Sequence, residues 1–302
     1  NYFRQHMAVW KFIRVNEFDI VHIHRQSEAC SYAMDAKITG TKRIVRTVHN
    51  VFIFHGLVQI REFIARQIAV MLGCKHVAIS PSVKENEWRH FRIKCIEISN
   101  WFDSDRFFYV DMRTKTKARE ELKLDENKFY IVSVGNCTPV KNHMVILKAL
   151  ARYREEEAFQ DVMYLHVGKG VQEKEEKQFV KKNGLEEKVL FFGFDDPILY
   201  LQASDLFVMP SQYEGFGISG IEGLATGIRA IFTDVPGLKD FKNMNFDNLV
   251  FAPLNDEEIE KCIYKEITNR QVVKSQKQAN QVRFLFGIQR GVEQYEQFYF
   301  KD

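Results

Sequence analysis

The chain's densest glycine-rich segment, residues 210–227, reads PSQYEGFGISGIEGLATG. It follows an apolar run, residues 205–209, that predicts a buried strand, and from about Gly217 its spacing predicts a helix. The loop glycines let backbone approach a ligand closely, and the first turn of a helix offers unpaired N–H groups to anionic or hydroxyl oxygens. With Glu214 in the loop and Glu222 in the helix, the segment predicts an extended ligand held at two points.

The remainder of the chain alternates short β-rich runs with longer stretches of helical period, a pattern typical of βα units and parallel sheets. The predicted strands are 19–24, 43–48, 75–80, 94–99, 129–135, 162–168, 189–193, 206–210, 228–233 and 248–252. The predicted helices include 4–16, 26–38, 58–72, 82–92 and a tail from Asp256 that is helical throughout, broken near Gly287 and Gly291. Two doubly wound halves predict a ligand in a cleft between two sheets. The polar, charged stretch 103–127 predicts the linker between them.

Composition excludes several classes of protein. The 302 residues are 45% hydrophobic and 27% charged, which excludes a disordered, collagen-like or low-complexity chain. No apolar run reaches the length of a membrane span and no signal pattern precedes the first strand, so we expect a cytoplasmic protein. The five cysteines lack any CxxC pair, and we interpret them as reduced core thiols without a disulfide framework or zinc site.

The net charge of +3 is too small to indicate nucleic-acid binding, but it is unevenly distributed. Residues 1–106 hold 16 Lys and Arg against 10 Asp and Glu, a balance of +6. That half is compatible with docking on an anionic membrane surface or a phosphate-bearing acceptor, but the charge pattern favours ordinary solvated surface charge.

Glu214-Gly215-Phe216-Gly217, with Glu222 eight positions after the first glutamate, resembles the glutamate, seven residues, glutamate motif of retaining GT-B glycosyltransferases, family four. Other segments agree: residues 134–143 resemble the phosphate-binding loop that opens the second domain, and residues 231–237, 100–107, 19–22 and 47–50 resemble further family segments. The resemblance covers nearly the whole chain. It implies a GT-B fold, two Rossmann-like parallel-sheet domains facing across a cleft.

In that family the two halves are comparable in size and the terminal helix crosses back to the first. The resemblance therefore implies an acceptor-side domain of residues 1–106 plus a helix at about 288–302, and a nucleotide-sugar-binding domain of residues 107–287. No strand and glycine-rich loop of the family's usual kind precedes Asp19, and the chain starts at Asn1 instead of Met. We therefore interpret the first domain as incomplete, with an N-terminal βα unit missing.

The resemblance assigns roles in donor binding to the densest motif. Glu222 would accept hydrogen bonds from the ribose hydroxyls of a nucleotide donor. Glu214 would hold the hydroxyls of the transferred sugar, together with the backbone N–H groups of Phe216, Gly217 and Ile218, which would also bind the distal phosphate. Glu214 is expected to contribute to catalysis.

Two further catalytic candidates come from other segments. Lys141 would neutralise the diphosphate as its charge grows on leaving, within the loop that contains Gly135 and Asn136. The family commonly has Arg where this chain has Asn136, so one phosphate cation is absent, and Lys169 is a candidate replacement. His49, after a predicted strand, corresponds to a histidine that faces the donor sugar in the family.

No metal or other cofactor is predicted. Asp103-Ser104-Asp105 has the DxD form of metal-dependent transferases but lies in the predicted linker, and His22 and His24 share a strand face without a third ligand spaced to join them. His55, His143 and His166 receive no role.

The resemblance implies a retaining, metal-independent hexosyltransferase that moves a hexose from a nucleoside diphosphate sugar to a hydroxyl acceptor. The family base rate favours UDP as the nucleotide, and the second half resembles enzymes of capsule or exopolysaccharide assembly, whose acceptors are commonly lipid-linked. This implies work on the inner face of the plasma membrane. Two alternatives stay open: an inactive nucleotide-sugar-binding subunit, favoured by Asn136 and the short first domain, and a GT-B-fold epimerase.

Overall fold

A computed structural model describes residues 2–270 and 274–300. The chain divides into two compact units: unit 1 comprises Asn1–Asn100 with Gly291–Asp302, and unit 2 comprises Trp101–Arg290. The sequence predicts the corresponding boundaries at residues 106 and 287. The part of the predicted first domain at Asn1 and at 301–302 lies outside the described residues.

Unit 1 contains a parallel sheet of four strands in the order β1-β2-β3-β4: β1 Ile20–Ile23, β2 Arg43–Val48, β3 Cys74–Ala78 and β4 Cys95–Glu97. Its helices in the first hundred residues are α1 Tyr2–Asn16, α2 Ala29–Ile38, α3 Gly56–Met71 and α4 Pro81–Phe91. The interior strand β2 has no exposed residue, as expected for a parallel strand covered on both faces. Helix α4 begins at Pro81, one residue before the predicted start at 82, because proline is favoured at the first helical position and the Ser80 hydroxyl accepts from the Val83 N–H at 3.2 Å.

Unit 2 contains a six-stranded parallel sheet in the order β10-β9-β8-β5-β6-β7: β5 Phe129–Val134, β6 Val162–Val167, β7 Val189–Gly193, β8 Leu206–Met209, β9 Arg229–Thr233 and β10 Leu249–Ala252. The α-helices that follow unit 1 along the chain are α5 Met112–Glu121, α6 Met144–Tyr153, α7 Glu173–Lys182, α8 Ile198–Ala203, α9 Ile218–Ala225, α10 Asp256–Asn269, α11 Gln276–Phe286 and α12 Ile288–Phe300. Short 3-10 helices span Pro139–Lys141, Glu157–Phe159 and Lys239–Met244.

The strand order of unit 2 reverses between β5 and β8. Strands β6 and β7 extend the sheet on one side of β5, and β9 and β10 extend it on the other side of β8. In open parallel sheets, the loops that leave the carboxyl ends of two such strands diverge and open a ligand-binding crevice. The loops after β5 and β8 are those that the sequence singles out.

Each of the ten predicted strands overlaps an observed strand, but the C-terminal tail is not helical throughout. Helix α10 ends at Asn269 and α11 begins at Gln276, and residues 271–273 of the predicted helix lie outside the described residues. The predicted break at Gly287 is confirmed, since this residue is extended between α11 and α12. The predicted break at Gly291 is wrong, because α12 continues through this buried glycine.

The stretch 103–127 is not a polar linker, which corrects the prediction. It contains α5, which packs on α8, and two of its cations are buried. Arg119 donates to Asp205 at 2.8 Å, and Lys115 pairs with the other oxygen of the same carboxylate. Asp205 also accepts from the Tyr130 N–H at 2.7 Å. These buried, paired charges therefore fix α5 within unit 2, although the composition of the stretch predicts a solvated linker.

Among the described residues, no helix has the length and apolar character needed to cross a membrane.

Candidate functional site

The loops after β5 and β8 are joined at the switch point of unit 2. The Gln212 N–H, in the loop after β8, donates to the carbonyl of Val140 at 2.7 Å, in the 3-10 turn after β5. The Thr233 hydroxyl, at the end of β9, donates to the Ser211 carbonyl at 2.5 Å. Hydrogen bonds from two directions thus fix the loop that contains Glu214.

Lys141 and Glu214, which the sequence assigns to different parts of a donor, are in direct contact. The Lys141 Nζ donates to Glu214 Oε1 at 2.6 Å, and the Ser211 hydroxyl donates to the same oxygen at 2.7 Å. The Lys141 side chain is one-quarter exposed and that of Glu214 about one-eighth. The pair is therefore accessible enough to meet a ligand and sheltered enough for its charges to interact strongly. Sequence reasoning missed the role of Ser211, although its place three residues before Glu214 was the available signal.

The N-terminus of α9 supplies hydrogen-bond donors beside this pair. Gly217 is the N-cap and has a φ of +82°, in the left-handed region that favours glycine. Within the part of the chain that the structure describes, the N–H groups of Phe216, Gly217 and Ile218 donate to no protein acceptor. The Phe216 ring is buried against Phe241 and Phe286, with centroids 5.4 and 5.3 Å away, so the backbone that holds these donors is anchored.

Glu222 lies on α9 and is mostly buried. Burial raises the pKa of its carboxyl to about 7, an effect that Arg106 opposes and Asp196 reinforces. Arg106 and Asp196 also pair with each other. No donor within the described ranges hydrogen-bonds to Glu222, so its oxygens are available to the hydroxyl groups of a ligand. The sequence predicts Glu222 but not the Arg106–Asp196 pair beside it, because no local motif links the three residues.

Close backbone packing shapes the loop after β5. A Cβ on Gly168 would lie 1.8 Å from the Gly135 carbonyl oxygen, so only glycine fits at this position, where the loop after β6 contacts the loop after β5. The Gly135 N–H donates to the Val167 carbonyl at 3.0 Å. Asn136 and Lys169 are exposed on these two loops. The structure thus places both the asparagine and the candidate replacement cation at the carboxyl end of the sheet.

The third catalytic candidate, His49, lies in unit 1 and contacts another histidine. Its Nε2 is 2.8 Å from the Nδ1 of His24, and burial lowers the pKa of both imidazoles. His22 hydrogen-bonds through one nitrogen to Thr47 Oγ1 at 2.7 Å and through the other to Tyr299. Both nitrogens of His22 are therefore engaged by protein hydroxyl groups. The DxD segment, residues 103–105, lies between Trp101 and α5. The Asp103 carboxylate accepts from the N–H groups of Asp105 and Arg106 in a turn, and the Asp105 carboxylate pairs with Arg283 at the surface.

Comparisons with known proteins identify the family of the chain. The family model described as glycosyl transferases group 1 matches residues 114–283, more than half of the chain. Over 260 residues, the chain is 25% identical to the UDP-Gal:alpha-D-GlcNAc-diphosphoundecaprenol alpha-1,3-galactosyltransferase of Escherichia coli, which covers 83% of this chain and 66% of that protein. The chain spans about two thirds or less of the length of the curated relatives it matches.

Solved structures share the fold. A glycosyltransferase from Rickettsia africae superposes with a TM-score of 0.81 at 23% identity, covering 98% of this chain and 80% of that one. HepE of Anabaena, solved in complex with UDP, superposes with a TM-score of 0.80 at 19% identity, covering 97% of this chain and 81% of its own. The predicted GT-B fold class, two parallel-sheet α/β domains, is thereby confirmed. Since the family model matches more than half of its residues, the chain belongs to the group 1 glycosyl transferases.

Proposed function

We propose that this protein transfers a hexose from a nucleoside diphosphate sugar, with UDP as the nucleotide, to a hydroxyl acceptor in polysaccharide or glycolipid assembly. One observation carries the proposal: Lys141, Glu214 and the free amides at the start of α9 converge at the switch point of unit 2. A cation, an acceptor of hydroxyl hydrogen bonds and a set of N–H donors suit a diphosphate with an attached sugar. The UDP bound by HepE supports the choice of nucleotide.

In this proposal the donor lies along α9. The ribose hydroxyls donate to Glu222, and the distal phosphate accepts from the N–H groups of Phe216, Gly217 and Ile218. The transferred sugar displaces part of the contact between Lys141 and Glu214: its hydroxyls donate to Glu214, and the lysine turns to the diphosphate. Exchanging one anionic partner for another keeps the lysine charge paired throughout, so binding costs little electrostatic energy.

The transfer breaks the bond between the anomeric carbon and the phosphate oxygen and forms a bond from the same face to the acceptor oxygen. The acceptor proton passes to the leaving phosphate. Lys141 and the helix N-terminus stabilise the negative charge that grows on this phosphate, and no metal ion is required in the step. Retention of the anomeric configuration follows from the same-face attack.

We further propose a lipid-linked acceptor and contact of unit 1 with the inner face of the plasma membrane. The name of the Escherichia coli relative specifies a diphosphoundecaprenol acceptor. On α3, three apolar side chains share one face at helical spacing and are exposed: Leu57, Ile60 and Ile64. Together with the positive balance of residues 1–106, this apolar face suits an anionic membrane surface.

The proposal is tested by incubating the purified protein with a panel of nucleotide sugars and lipid-linked or simple saccharide acceptors. A chelator is added at the start of one series, and the anomeric configuration of the product is read by NMR. We expect transfer from a UDP-sugar, with retention, at a rate that the chelator leaves unchanged. Nucleotide binding without transfer would favour the inactive subunit, an isomerised donor would favour the epimerase, and inversion would overturn the mechanism.

Membrane contact is tested by sedimentation with vesicles. We expect binding to vesicles that contain phosphatidylglycerol and little binding to pure phosphatidylcholine. Leu57→Ser with Ile60→Ser should weaken the binding, whereas Val171→Ser, at an exposed apolar residue of unit 2, should leave it unchanged. Equal binding by all three proteins would contradict the assignment of this surface.

A further inference from the structure

A buried cluster of four potential metal ligands lies behind the loop after β5. It consists of Cys137, His143, His166 and Glu176, and each contributes one ligand atom to a set in which all atoms lie within 4.8 Å of one another. The four residues come from four places: the loop after β5, the residue before α6, strand β6 and helix α7. All four are buried, with at most 2% of any of them exposed.

Two of the interatomic distances in the cluster match the edges of a tetrahedral zinc site. Cys137 Sγ lies 3.5 Å from His166 Nε2, and His166 Nε2 lies 3.2 Å from Glu176 Oε2. With zinc bonds of about 2.3 Å to sulfur and 2.0–2.1 Å to nitrogen and oxygen, a tetrahedron has a sulfur–nitrogen edge of about 3.6 Å and a nitrogen–oxygen edge of about 3.3 Å. One thiolate, two imidazoles and one carboxylate are also ligands that zinc accepts.

Protein contacts leave several of the cluster's polar atoms without a hydrogen-bond partner. Within the described chain neither carboxylate oxygen of Glu176 has a partner with good hydrogen-bond geometry, although the Cys137 thiol lies near this carboxylate, and the Nδ1 of His143 also lacks a partner. The 3.2 Å approach of His166 to Glu176 is within ion-pair distance but lacks hydrogen-bond geometry. A fully buried carboxylate without a donor costs several kcal/mol, and coordination to a cation would remove that cost.

We propose that Cys137, His143, His166 and Glu176 bind one Zn²⁺ ion as a structural site. Four protein ligands complete the tetrahedron and leave no position for water or substrate, which distinguishes a structural from a catalytic site. The ion fastens the loop after β5 at two points, Cys137 and His143. Lys141 lies between these two ligands, so the site would hold the phosphate-binding loop rigid without contacting the donor. The site is thus separate from the proposed transfer chemistry, which needs no metal.

The test is the metal content of the purified full chain, measured by inductively coupled plasma mass spectrometry after exchange into metal-free buffer. We expect about one zinc per chain, retained through gel filtration, as is typical of closed structural sites. Less than about a tenth of an equivalent, both as purified and after equilibration with Zn²⁺ and removal of the excess, would overturn the proposal.

Spectroscopy and variants test the ligand set. Protein produced in cobalt-supplemented, zinc-depleted medium should show the visible absorption of tetrahedral Co²⁺ and a thiolate-to-cobalt charge-transfer band in the near ultraviolet. Cys137→Ser should lose that band and the zinc. Cys95→Ser, at another buried thiol, in unit 1, should keep both. If Cys137→Ser does not fold, the wild-type cobalt spectrum still decides the question: octahedral bands, or no thiolate band, would refute the site.

Discussion

We expect the raised pKa of Glu222 to make donor binding dependent on pH. Its carboxyl has a pKa of about 7 in the folded protein, because burial disfavours the charged form. Ribose hydroxyls bind the ionised carboxylate best, and the apparent affinity scales with the fraction of protein in the binding-competent form. With a pKa of about 7, about one tenth of the molecules are ionised at pH 6 and about nine tenths at pH 8. We therefore expect the donor to bind about tenfold more weakly at pH 6 than at pH 8.

Isothermal titration calorimetry with a UDP-sugar measures this directly, because the diphosphate diester of such a donor does not titrate in the same range. Glu222→Gln should bind more weakly than the wild type at pH 8, by about tenfold or more, since a charge-assisted hydrogen bond is lost. Its affinity should also be independent of pH. Glu187→Gln, at an exposed glutamate of unit 2, is the matched control and should keep the wild-type profile.

The same pKa predicts an opposite effect on stability. Because the folded carboxyl holds its proton more tightly than the unfolded one, the free energy of unfolding falls as pH rises from about 4.5 to 7. A shift of this size corresponds to at most about 3 kcal/mol, and to less here because the carboxyl is partly exposed. Glu222→Gln should therefore resist urea better than the wild type at pH 8.

A wild-type affinity for the donor that is equal at pH 6 and pH 8, or a Glu222→Gln variant whose affinity still depends on pH, would refute the role assigned to Glu222.

Three further substitutions test the site and its support. Lys141→Met should lower kcat about a hundredfold by removing the cation beside the leaving phosphate, and steady-state kinetics with unchanged kcat would contradict that role. Gly237→Ala should destabilise unit 2 strongly and weaken donor binding, because its Cβ would lie 2.3 Å from the Glu214 carbonyl oxygen. The control Gly73→Ala has a similar φ of +85° but open space around the new Cβ, so thermal denaturation should show a loss of only about 1–2 kcal/mol in the free energy of unfolding. Asp205→Asn should lower the free energy of unfolding, measured by urea titration, by about 3–5 kcal/mol, because it leaves the buried Lys115 and Arg119 without their anion. A loss of stability no larger than that caused by the same substitution at an exposed aspartate would show that these ion pairs contribute little.

The strands and the glycine-rich loop could be predicted because their signals are local. Buried parallel strands appear as short β-branched runs, and the segment from Glu214 to Glu222 combines a strand end, loop glycines and a helix start in one stretch. The roles of Glu214, Glu222, Lys141 and His49 stay predictions until the variants are measured. The structure adds that Lys141 and Glu214 are partners.

The errors arose where polar residues are buried by tertiary contacts. Lys115 and Arg119 lie in a stretch whose charge indicates solvated chain, and only the distant Asp205 explains their burial. Glu176 lies in a charged run, but it precedes the buried Val180 by four residues and so shares its helix face. That spacing was the available signal for a buried glutamate. His166 shares a face of β6 with the buried Tyr164 in the same way.

Helix α12 has a consequence for the order in which the protein is made. It is the last helix of the described chain, yet from Gly291 onward it belongs to unit 1, where Tyr295 hydrogen-bonds to Thr47 at 3.0 Å and Tyr299 to His22. A ribosome synthesises the whole of unit 2 before these tyrosines emerge. Unit 1 therefore completes its hydrogen bonds last, although its strands are synthesised first, and until then His22 on β1 and Thr47 on β2 lack these tyrosine partners.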